Sequence, residues 1–163
     1  DRHRGGGAVR MTRDEVITLL EARDPIAAAH GIQRPGEIGW MRADDAGDGA
    51  VPIRYGTGTT PGEVADQLLA VAERAGEVHA VHLVPGADAP DRPGSWGTED
   101  LLVTAVARRV LPDTPIRPDW RALGAGACQV AVAFGADEWV IPTDDPSDPD
   151  HLAEAVGARA VPR

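Results

Sequence analysis

Residues 115–142 read PIRPDWRALGAGACQVAVAFGADEWVIP, and this stretch sets the fold class: strand, tight turn, small-residue helix, second strand. Pro115 to Pro118 is short and extended, since two prolines hold the chain in β or polyproline geometry and suit an edge or a strand end. Asp119 stands where a following helix needs a cap, and Trp120 follows at the mouth of that turn. Helix character is predicted from Ala122 to Phe134. Ala125, Cys128, Val132 and Gly135 form one stripe, and Ala127, Val130, Ala131 and Phe134 form another. A helix apolar on nearly all sides is expected to be buried over much of its surface. Gly135 occupies the C-cap position, and Asp137 to Ile141 resumes as a short strand.

The units before it alternate in the same way. Pro61 to Ala75 is a predicted helix with Val64, Leu68, Leu69 and Ala72 inward. Val78 to Val84 is a near-continuous apolar strand. Thr98 to Leu111 is a helix that buries Leu101, Leu102, Ala105, Val106 and Val110. Apolar strands separated by amphipathic helices indicate a parallel sheet covered by helices. Nearer the N-terminus, Thr12-x-x-Glu15 fits a capping box, with Val16, Leu19, Leu20 and Ile26 as its apolar stripe, broken at Asp24-Pro25. Glu37 to Ala43 and Val51 to Tyr55 read as two strands joined as a hairpin by the acidic turn at 44–49. The expected fold is therefore α/β: a partial (half) (β/α) barrel, or a small open parallel sheet of about four or five strands flanked by helices, preceded by an N-terminal helix and hairpin. Residues 1–10 read as a disordered lead-in or tag, with Met11 as the start. Residues 11–163 read as one domain: a helical prelude and hairpin over 11–50, then βα units over 51–163.

Several pieces resemble a known family. Trp120-x-x-x-Gly124, Ala127-Cys128-Gln129-Val130-Ala131 and Phe134-Gly135-Ala136-Asp137-Glu138 are similar to the last βαβ unit of the radical S-adenosylmethionine enzymes of futalosine-route menaquinone synthesis and of deazaflavin-cofactor synthesis. Tyr55-Gly56, Thr60-Pro61-Gly62-Glu63, His82-Leu83-Val84-Pro85, Thr98-Glu99-Asp100-Leu101 and Ala105-Val106-Ala107-Arg108 resemble the preceding units in the same order. Leu152 to Arg163 resembles that family's final helix and tail, and the helix from Thr12 its prelude. The resemblance implies the back portion of a barrel over residues 50–163, with the hairpin standing where the earlier units would lie. Those enzymes hold a 4Fe–4S cluster through three thiolates of a Cys-x-x-x-Cys-x-x-Cys loop, and Cys128 is the sole cysteine here. No cluster, no other cofactor and no metal is expected. Ile141-Pro142-Thr143-Asp144-Asp145 also departs from the family's acidic pair after the last strand.

Composition narrows the function classes. The chain has 163 residues, short of the ~250 typical of a complete barrel, and a net charge of −10. That acidity, with no basic patch, argues against nucleic acid and anionic lipid as partners. No run approaches the ~20 apolar residues of a membrane span, so a cytoplasmic protein is expected. All sixteen basic residues are Arg; with the Ala, Gly, Asp and Pro richness this suggests a bacterial source with a GC-rich genome.

In parallel α/β sheets, ligands meet the loops after the carboxyl ends of strands. The candidate ligand-binding residues are accordingly Thr57 and Thr59 in the Gly-Thr-Gly-Thr run, His82 near its strand end, Trp96 in the 85–97 loop, and Asp119, Trp120 and Arg121. Trp96 and Trp120, with Arg121 or Arg54, suggest an apolar clamp for an acidic aromatic ligand. His79 and His82 point to opposite faces of one strand and cannot share a metal. Asp44, Asp45 and Asp48, like Asp144, Asp145, Asp148 and Asp150, read as solvated turns, with Ser147 or Asp148 capping the last helix. Two functional readings follow. One is a non-catalytic radical-SAM-like module that binds a small molecule or a partner subunit, linked to menaquinone synthesis. The other is a small cofactor-independent enzyme using His82 as acid or base. Because half a barrel leaves open edges, two copies are expected to pair about a two-fold axis.

Overall fold

The computed structural model describes residues 10–47, 49–86 and 97–163. The first two helices form as their signals dictate. Thr12 Oγ1 accepts the Glu15 amide at 3.2 Å while Glu15 Oε1 accepts the Thr12 amide at 3.0 Å, closing the capping box of α1 (Arg13–Ala22). Asp24 caps the short α2 (Pro25–Ala29), with Pro25 in the first turn. Thr60 and Glu63 repeat the box at α3 (Pro61–Ala72), and α4 spans Thr98–Val110. These four helices, with β2 (Ala50–Tyr55), β3 (Ala80–Pro85) and β4 (Ile116–Pro118), enclose the larger core. Val16 and Leu20 are buried there as expected. Ile26 is 77% exposed, because Asp24-Pro25 starts a new helix axis that turns it to solvent.

The strands assemble into two sheets. β2, β3 and β4 lie side by side in that order, all parallel. The second sheet is β5–β1–β6, also parallel, made from β1 (Glu37–Arg42), β5 (Glu138–Ile141) and β6 (Arg159–Pro162). Neither sheet closes into a barrel. The architecture is thus an open α/β fold, with two three-stranded sheets in place of the single sheet expected. The predicted hairpin does not form. β1 pairs with β5 and β6 while β2 pairs with β3, so the two strands enter different sheets. Ala43–Asp45 forms a 3-10 turn instead of a hairpin bend.

The two sheets meet along β4 and β5 through very few backbone bonds. The Asp137 amide donates to Ile116 O at 3.2 Å, and the Ile116 amide donates to Asp137 Oδ1 at 2.9 Å, a side chain taking the place of a ladder partner. Arg108 anchors the same seam. Its Nε donates to Gly135 O, its Nη1 to the carbonyls of Leu111, Pro112 and Thr114, and its Nη2 lies 3.0 Å from Asp137 Oδ1, a charge contact without hydrogen-bond alignment. Asp119 caps α5 (Trp120–Ala131) through the Ala122 amide. The helix is kinked at Gly124, whose φ of 84° and ψ of 168° only glycine adopts freely. It is not buried all round: Trp120, Cys128 and Ala131 are buried, whereas Val130 is 50% exposed. After α6 (Pro149–Glu154), capped by Asp148, the tail that follows the final helix forms a strand, β6. Gly157, at φ 75°, turns the chain out of the helix, and the last residues pair along β1.

The outer edge of β2 is plugged by a side chain, and that of β6 is interrupted by a proline. In β2 the Arg54 amide donates to Gln67 Oε1 and the Arg54 carbonyl accepts from Gln67 Nε2, each at 2.8 Å, so a glutamine side chain imitates a neighbouring strand. Pro52, two residues earlier on the same edge, has no amide proton to offer. In β6 the Arg159 and Arg163 amides bond toward β1, at Gly36 O and Trp40 O, which leaves Ala160 and Pro162 facing outward. The outer edge again carries a proline.

Candidate functional site

The face of each sheet away from the helices is set by strand alternation. Ile53, Val81, Leu83 and Ile116 face the larger core. Their neighbours Pro52, His82 and Arg117 therefore point the other way, and they share one cross-strand row. On the second sheet Ile38, Trp139 and Ile141 face the helices, which leaves Met41, Glu138 and Val140 on the open side. A cleft of about 440 Å³ is lined by Pro52, His82, Arg117 and Val140 of these two faces. Its rim is formed by the chain around Ala43 to Gly47 on one side and by Asp119 to Arg121 on the other.

Four of the predicted ligand-binding residues meet there: His82, Asp119, Trp120 and Arg121. His82 Nε2 lies 3.5 Å from Asp119 Oδ2, with the His82 side chain 40% exposed. The hydrogen bond to His82 is the leading influence on the Asp119 carboxyl and, with the helix amides, holds it below its ordinary range against the opposing effect of burial. Trp120 is not a loop clamp. Its ring is buried in the smaller core, edge-on to Trp139 with centroids 5.7 Å apart, and its Nε1 donates to Asp145 Oδ2 at 2.8 Å. Only part of it reaches the cleft wall. Trp139 is fully buried and donates to Cys128 O at 3.1 Å. Arg121 is exposed and lies 3.8 Å from Asp144 Oδ1. Arg54 stands on the edge of β2 and is not part of the cleft lining.

Thr57 and Thr59 lie elsewhere. Gly56 and Gly58 take left-handed φ values, and the Thr59 amide closes the turn on Gly56 O. The α3 amides that an anion would use are partly taken by the Thr60 and Glu63 box. Thr59 instead lines a second depression of about 420 Å³ beside Tyr55, Arg23 and Leu102. There the Tyr55 hydroxyl donates to Asp100 Oδ1, and Asp100 Oδ2 accepts the Gly97 amide at 3.2 Å. Burial, followed by the Asp100 charge, drives the Tyr55 hydroxyl far above its usual range. Trp96 and Asp48 lie outside the described residues.

Sequence reasoning missed Arg117 in the cleft lining and the glutamate that holds it. Arg117 and Glu138 form a buried pair, Nε to Oε1 at 2.6 Å, with side chains 4% and 10% exposed. Arg117 Nη2 also lies 3.7 Å from Met41 Sδ. The available signal was an Arg between two strand-like residues and a Glu opening the next strand, on adjacent βα units.

Metal chemistry finds no donor set among the described residues, since no three His, Cys, Asp or Glu side chains converge. A 4Fe–4S cluster does not fit this chain either. Cys128 is its one cysteine, fully buried, with a thiol that burial pushes up to about 12. No described helix is long and apolar enough to cross a membrane. No family model matches the chain, and no curated protein matches it.

Proposed function

We propose that the chain is a non-catalytic small-molecule-binding module on a radical-SAM-like α/β plan, with its ligand seated in the cleft between the two sheets. One observation carries the reading: β3, β4 and α5, separated in sequence, bring His82, Arg117, Asp119 and Arg121 to one concave wall. Apolar surface with a few convergent polar groups is the ordinary form of a ligand site. The Gln67 plug on β2 and the proline on the outer edge of β6 favour a small molecule over a partner subunit that would extend a sheet, because strand addition needs a row of free amides and carbonyls. The resemblance to menaquinone-pathway enzymes supplies the first panel of compounds. In a thermal-shift screen against pathway intermediates and simple aromatic acids, a true ligand at a hundredfold its Kd raises the melting temperature by about 5–10 °C. His82→Ala removes that shift. No response across the panel would sink the reading. The variant is placed at His82 because Trp120 belongs to the core.

The His82–Asp119 contact favours a second reading, a cofactor-independent enzyme in which Asp119 orients His82 as acid or base. In that case a bound compound is turned over, and His82→Gln abolishes turnover while leaving binding within about threefold.

A further inference from the structure

We infer that Arg117 is the anion receptor of this cleft, held in place by Glu138 and Met41, and that the ligand carries an anionic head group on an otherwise apolar body. The inference rests on the cleft being a binding site and specifies what it selects.

The guanidinium has three nitrogens. Nε is committed to Glu138 Oε1 at 2.6 Å, and Nη2 lies against Met41 Sδ at 3.7 Å. Nη1 has no protein partner among the described residues, and it is not one of the sealed-off polar atoms of the interior. Arg117 nevertheless lines the cleft, with its side chain 96% buried. A donor with open valence therefore faces a concave space from a low-dielectric setting, where a charge-assisted hydrogen bond is strongest.

The Glu138 contact also shows what the pair does. Taking two charges out of water costs more than an apolar pair of similar volume, so the pair is not explained by the stability of the sheet. Its geometric result is a guanidinium fixed in plane, with one edge bonded and the other presented. That is the arrangement by which Arg receives a carboxylate or phosphate without losing side-chain entropy on binding. His82, beside Arg117 in the cross-strand row, adds a second polar group on the same wall. Ala50, Pro52 and Val140 supply the apolar surface for the remainder of the ligand.

The test uses the full chain, nitrogen-15 labelled, titrated by NMR with benzoate, phenyl phosphate and benzamide. The expected result is that one or both anions shift the cleft amides and the Arg117 side-chain N–H signals, with benzamide at least about tenfold weaker. Which of the two anions binds more tightly decides between carboxylate and phosphate. Arg117→Met, similar in length, loses the preference for anions, while Arg159→Ala, an exposed arginine on β6 outside the cleft lining, keeps it. Where Arg117→Met does not fold, the side-chain signals of the unaltered protein carry the same test. If benzamide binds as tightly as the anions, or Arg117→Met still prefers them, the inference fails while the cleft remains a binding site. If no probe shifts any cleft residue, both the inference and the binding reading fall.

Discussion

The β2–β3–β4 sheet and the β5–β1–β6 sheet are each three parallel strands beneath helices, yet they are assembled from different kinds of contact. In the first, β2, β3 and β4 follow one another in the chain, and their core is aliphatic, built on Val64, Leu68, Val81, Leu83, Val106 and Ile116. In the second, a strand from the start of the chain lies between two from its end, and the smaller core is organised by Trp120 and Trp139. The first sheet grows by local additions. The second exists only after distant segments meet, so its stability is concentrated in a few large side chains.

The most severe way to break that contrast is Trp139→Ala. It removes a fully buried indole, its edge-on contact with Trp120 and its bond to Cys128 O, and is expected to cost about 3–5 kcal/mol in urea unfolding. Hydrogen exchange then locates the damage: amides of β1, β5 and β6 lose protection before those of β2 and β3. Equal loss in both sheets would show that they open as one unit. Gly135→Ala sharpens the comparison at the joint. Gly135 has a φ of 114°, and an added Cβ would lie 2.5 Å from Arg108 Cβ. About 2 kcal/mol of destabilisation is expected. An unchanged melting temperature would mean that the Arg108 anchor shifts without penalty.

The smallest effect is electrostatic and crosses from one sheet to the helix of the other. The folded protein holds the Asp119 carboxyl below its ordinary 3.8, chiefly through His82. A depressed carboxyl pKa contributes stability above the unfolded value, and that contribution is lost as pH falls through the folded value. Melting temperatures measured from pH 7 down to pH 3 should therefore fall less steeply at the acid end in Asp119→Asn than in the parent. Parallel acid limbs would remove Asp119 from the account.

The same contrast explains what could be read in advance. Helix starts are local, so Thr12 and Asp119 were legible as caps from neighbours within a turn, and Asp148 as one of two candidates with Ser147, whereas Asp24-Pro25 was read only as a break in the first helix. The alternation of β2, α3, β3, α4 and β4 was legible for the same reason. The partners of β1 were not, because nothing near Glu37–Arg42 indicates that it pairs with residues 138–141 and 159–162. A hairpin was the nearest local solution, and the fold chose a distant one. The last residues were read only as a tail after the final helix, because nothing within Arg159–Pro162 shows that they pair along β1. Of the residues that line the cleft, those of the Asp119 turn and His82 were singled out in advance, His82 for its place near the carboxyl end of its strand. Arg117 and Glu138 were missed because an ion pair is a property of two strands in register and of neither alone.

Proline and glutamine on the rims of the sheets have a consequence for the protein as a substance. Amyloid-like stacking propagates when an unoccupied strand offers amides and carbonyls to an identical copy. Here Gln67 already occupies Arg54, and Pro52 and Pro162 interrupt the row of donors. Concentrated solutions should accordingly resist fibril growth, and seeding by preformed aggregates should be slow for as long as that glutamine stays in place.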